Sequence, residues 1–72
     1  MNETETYSLI GKRIKYLREM KNITQEKLAE KTGYSLDYIG KIEVNINRPG
    51  LRVLIKIADA LEVELFEIFK FN

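Results

Sequence analysis

The 72-residue chain has no cysteine and no histidine, a single proline and four glycines. Without cysteine there is neither a disulfide framework nor a thiolate site, which fits a reducing compartment. With both residue types missing, no metal-ligand cluster emerges. A glycine-rich loop able to cradle phosphate is also lacking. No apolar stretch approaches the length of a membrane span. The N-terminus opens on Glu3 and Glu5 instead of a basic-then-apolar run, so no signal peptide is expected. These absences lead to the expectation of a soluble, cytoplasmic protein that is not an enzyme, with no cofactor, metal, membrane or small-molecule partner. Glu26 and Glu30 stand one helical turn apart, as paired carboxylates can, yet they alternate with Lys27 and Lys31 in the manner of a solvated face.

Apolar residues make up 44% of the chain, which suits a compact helical domain and not a disordered segment. A single domain over residues 1–72 is expected, near the lower size limit at which a core holds a fold without staples. The net charge of +1 hides an uneven distribution. Residues 11–56 carry eleven Lys/Arg against five Asp/Glu, while Asp59, Glu62, Glu64 and Glu67 outnumber Lys70 in the last sixteen residues. Such a positive central segment is the expected electrostatic footprint of a phosphate-binding surface, the alternative being a solvated surface with ordinary scatter of charge.

Apolar spacing and cap residues divide the chain into five helices. Ser8 is the expected N-cap of the first, with Ile10, Ile14 and Leu17 at i, i+4, i+7. Lys21-Asn22 closes it, since asparagine tolerates the left-handed conformation. Thr24 caps a second helix over Gln25 to Lys31, and Ser35 caps a third from Leu36 to about Val44. The run Asn45-Ile46-Asn47-Arg48-Pro49-Gly50 has turn chemistry. A fourth helix is predicted over Leu51 to Leu61, with Leu51, Leu54, Ile55, Ala58 and Leu61 as its apolar positions. A short fifth, near Glu64 to Phe69, offers Leu65, Ile68 and Phe69.

The segment QEKLAEKTGYSLDYIGKIEV, residues 25–44, has the spacing of a helix-turn-helix. Two helices crossing steeply over a short turn need a small side chain at their closest approach, and Ala29 supplies it. Gly33 permits the reversal at positive φ. Ile39 and Ile42 lie three apart, on one inner face, which leaves the other face of the third helix for solvent or for a duplex.

With IGKRIKYLREMKNITQEKLAEKTGYSLDYIGKIE followed by NRPGLRVLIKIADALEVELFEIF, the chain resembles the Cro/repressor-type helix-turn-helix domains, also called the xenobiotic-response-element family. The resemblance covers about residues 9–69. It implies an all-α, five-helix lambda-repressor-like fold and sequence-specific binding of double-stranded DNA, usually as a two-fold dimer. Gln25 matches the glutamine that opens the family's second helix and contacts a phosphate, and Thr24 precedes it at the same helix end. Ser35, Leu36, Asp37, Tyr38 and Lys41 match the start of the recognition helix and its next turn. Leu36 is suited to a thymine methyl and Lys41 to guanine O6/N7 or to a phosphate. Asp37 either accepts from cytosine N4 or only stabilises the helix start. Ser35 and Tyr38 are assigned to the helix cap and the DNA backbone.

Asn45, Asn47 and Arg48 match the loop in which the family grips phosphates. Val44-Asn45-Ile46 stands where an Arg-Gly-Lys-type run is usual, so two cations are missing and Ile46 becomes a packing or partner residue. Arg18 and Glu43 match a charge pair tying the first helix to the end of the third. Phe66, Phe69 and Phe71 are more aromatics than a short terminal helix buries on one side, and either form a dimer interface or complete the core. The implied function is a transcriptional regulator of bacterial or phage type: a phage-like repressor, a restriction-modification controller or an antitoxin-like regulator. The alternative is a protein-interaction module that kept the fold without the DNA.

Overall fold

A computed structural model describes residues 1–72 as five helices: α1 (Glu3–Met20), α2 (Gln25–Thr32), α3 (Leu36–Glu43), α4 (Leu51–Ala60) and α5 (Leu65–Ile68). The first helix starts earlier than the apolar stripe predicts. Asn2 is its N-cap, with the side chain accepting from the Glu5 N–H at 2.8 Å, and Ser8 lies within the helix. The added turn is polar, so it leaves no mark on hydrophobic periodicity. It is held by the cap and by Glu3 and Glu5 at the positive end of the helix dipole.

The remaining ends follow local chemistry. Thr24 Oγ1 accepts from the Lys27 N–H and Ser35 Oγ from the Tyr38 N–H, each at 3.0 Å. Gly33 ends α2 at φ 81°, a left-handed conformation natural to glycine. Asn22, Asn45 and Glu62 take left-handed conformations after α1, α3 and α4. Each is followed by an N–H that closes the helix end: Ile23 onto Arg18 O, Ile46 onto Lys41 O, Val63 onto Ala58 O.

The core joins Ile10, Ile14 and Leu17 of α1 to Leu28 and Ala29 of α2, Ile39 and Ile42 of α3, Leu54, Ile57 and Ala58 of α4, Leu61, and Ile68 of α5. Short helices do not persist alone in water, so mutual burial of these stripes holds the fold. Two expected stripe positions of α4 fall outside it, because α2 and α5 cover one side of that helix and Leu51 and Ile55 face away, 59% and 50% exposed. Ile46 is also exposed and fills no core space. No helix is long and apolar enough to cross a membrane.

Candidate nucleic-acid interface

Helix α3 divides into two faces. Ile39, Ile42 and Glu43 are buried against α1 and α2, while Leu36, Asp37 and Lys41 look outward. The height at which α3 stands is fixed by Gly11. A Cβ at that position would lie 2.5 Å from Ile42 O and 2.9 Å from Glu43 O, so only glycine lets α1 approach the end of α3 this closely. This role was not legible beforehand. The one available signal was a glycine inside a strong helical period, which is costly without a packing reason.

The angle of α3 is fixed by a buried charge network. Arg18 Nε donates to Glu43 Oε2 at 2.7 Å and Nη2 donates to Oε1 at 3.0 Å, a two-pronged contact, while Nη1 donates to Ile23 O at 2.8 Å. Gln25 Nε2 donates to the same Oε1 at 2.9 Å. The carboxylate at the last residue of α3 thus holds α1 and α2 together. The hydrogen bond to Glu43 raises the Arg18 pKa above the ordinary arginine value, outweighing the lowering by burial. Gln25 is therefore turned toward the scaffold through its amide N–H.

On the outer face, Lys41 Nζ and Asp37 Oδ2 are 2.9 Å apart, one turn along the helix, and both are solvated. Leu36 is 45% exposed beside them. The Tyr38 ring packs edge-on against Tyr34, with centroids 5.4 Å apart. Thr24 and Ser35 accept from their own helices, and each hydroxyl keeps a proton to donate. In the loop after α3, Asn45 Oδ1 is enclosed and accepts no hydrogen bond, and the Asn47 N–H is spent on Lys41 O at 3.1 Å. Arg48 is turned toward α1, where its Nη1 meets Glu3 Oε2 at 2.7 Å.

The C-terminal aromatics separate. Phe66 and Phe69 are 65% and 41% exposed, and Phe71 packs partly against the core. A second long-range tie, also unforeseen, fastens α5 to α1: Arg13 Nε donates to Glu67 O at 2.8 Å and Nη2 to Glu67 Oε1 at 3.3 Å.

Known proteins share this architecture. The chain is 37% identical over 59 residues to the immunity repressor protein of Bacillus phage phi105, covering 82% of this chain and 41% of the repressor. The chain spans about two-fifths of the length of that repressor and of the regulator SlrR from Bacillus subtilis. Among solved structures, the restriction-modification controller protein C.AhdI from Aeromonas hydrophila superposes with a TM-score of 0.85 at 33% identity, over 88% of this chain and 96% of that one. SinR, the master regulator for biofilm formation, in complex with DNA, gives 0.76 at 35% identity over 82% and 95%. A family model described as helix-turn-helix (HTH_3) matches residues 14–68. With that match spanning most of its length and its α2–turn–α3 geometry in agreement, the chain belongs to the helix-turn-helix family.

Proposed function

We propose that residues 1–72 form one DNA-binding unit of a transcriptional regulator, which reads the major groove with α3 and acts as a two-fold dimer on a palindromic operator. The observation that carries this reading is the division of α3, whose inner face is locked to the scaffold through Ile39, Ile42 and Glu43 while Leu36 and the Asp37–Lys41 pair are turned to solvent. A helix held in this way presents side chains to base edges at fixed height and angle. Leu36, Asp37 and Lys41 are the base-reading residues. Thr24, Ser35, Tyr38, Asn45 and Asn47 form the phosphate-facing rim, which Gln25 and Arg48 join by giving up their contacts with Glu43 and Glu3. Support comes from relatives whose names describe repressors and regulators and from the SinR structure, which holds DNA. Exposed Phe66 on α5 and Phe69 at its C-terminal end supply the two-fold contact.

Selecting bound duplexes from a random pool, at about 50 mM and 200 mM salt, tests the proposal. A two-fold symmetric consensus and an affinity that falls steeply with salt are expected. No retention of any duplex in dilute buffer, or binding indifferent to salt, would favour a protein-interaction module instead.

A further inference from the structure

Arg48 is the only cation in the loop between α3 and α4, and it is already occupied. Its Nη1 donates to Glu3 Oε2 at 2.7 Å, its Nη2 donates to Thr4 Oγ1 at 2.9 Å, and its Cζ lies 5.6 Å from the ring centroid of Tyr7. Three side chains from the opening of α1 thus converge on one guanidinium some forty residues away in sequence. Glu5 adds a second carboxylate to the same turn. These four α1 residues precede position 14, where the family match begins, whereas Arg48 lies within it, so one side of the latch comes from chain outside the matched span.

We propose that Glu3 is an affinity-setting residue, an acidic guard that competes with DNA phosphate for Arg48. The inference rests on the DNA-binding reading above. A guanidinium fork suits carboxylate and phosphate equally, and donors engaged by one are withdrawn from the other. A phosphate approaching that edge also meets the negative charge of Glu3 itself. For Arg48 to grip a duplex, Glu3 must let go. Both side chains are solvated, 72% and 39% exposed, so the latch is weak enough to open. An exposed pair of this kind shifts an equilibrium by about twofold to fivefold. The competing account makes Glu3 a dipole-stabilising residue of the α1 first turn, with Arg48 as its anchor. In that case removing Glu3 lowers thermal stability and leaves duplex affinity alone.

The two accounts separate in a double-mutant cycle. Wild type, Glu3→Gln, Arg48→Ala and the double variant are titrated into a short fluorescein-labelled duplex of mixed sequence, and anisotropy is read at about 50 mM and 200 mM salt. Glu64→Gln, which removes the same charge beside α5, is the control. The guard requires Glu3→Gln to bind about twofold to fivefold tighter than Glu64→Gln. Its salt slope should steepen by about one phosphate's worth. Arg48→Ala should also cost more affinity in the Glu3→Gln background than in wild type. If Glu3→Gln matches Glu64→Gln, binds more weakly, or combines additively with Arg48→Ala while all proteins bind, the guard alone is overturned. If none of the five proteins holds the duplex at the lower salt, the DNA-binding reading fails and the guard falls with it.

Discussion

At the scale of single residues, a missing methyl group sets the distance between two helices. The atoms that a Gly11 Cβ would strike are backbone carbonyls of Ile42 and Glu43, so no rotamer change makes room. Gly11→Ala is expected to cost about 1–3 kcal/mol, because α1 must retreat from α3. Urea denaturation checks this: the midpoint should fall with little change in slope. The sequence marks this glycine only as an oddity within a helical period and does not say what it approaches, since it records identity but not proximity. Gly33 was legible by contrast, since a positive φ after a helix is a requirement of the local chain.

Among the elements, the ends that could be read in advance were those governed by neighbours within four positions: Thr24, Ser35, Asn22 and Gly33. The apolar stripe points to Ser8 as the start of α1, six residues past the Asn2 cap, because the true opening turn carries no apolar residue. Leu51 and Ile55 matched the helical period of α4 but lie outside the fold's covered side, and periodicity cannot say how wide a stripe its neighbours will cover. Partners across elements were legible only through family resemblance, as for Arg18 and Glu43. The hydrogen bond from Gln25 to the same carboxylate was not, although it joins α2 to the network. Glu43→Ala removes the acceptor shared by two helices and strands a buried guanidinium, at an expected cost of about 3–5 kcal/mol. That approaches the whole margin of a small domain. Thermal melting of Glu43→Ala, with and without Arg18→Met, is the check, and the second substitution should restore part of the loss. The raised Arg18 pKa places no pH dependence of its own in the neutral range. A cation whose folded pKa is raised contributes fully below its unfolded pKa and fades only as pH climbs through the folded one.

For the molecule as a whole, the unexplained features are large side chains with nothing over them. Phe66 on α5 and Phe69 at its end, with Leu51 and Ile55 on α4, leave apolar surface on two helices that pack together. The sequence flagged the aromatics, but a partner in a second copy is beyond any reading of one chain. Under the dimer proposal, sedimentation equilibrium should give a dimer for wild type and a monomer for Phe66→Glu, with helical content unchanged by circular dichroism. A wild type that sediments as a monomer at high concentration removes the dimer from the account.

The split character of α3 has a consequence for how such a protein changes over time. Positions 36, 37 and 41 lie outside the buried core, their one ion pair runs along α3 itself, and exposed substitutions of that kind alter stability by only about half a kcal/mol either way. If α3 reads bases as proposed, three exchanges there would retarget the molecule to another stretch of duplex while its interior went unaware of the difference. New preferences therefore lie within reach of ordinary mutational drift, without any repair inside.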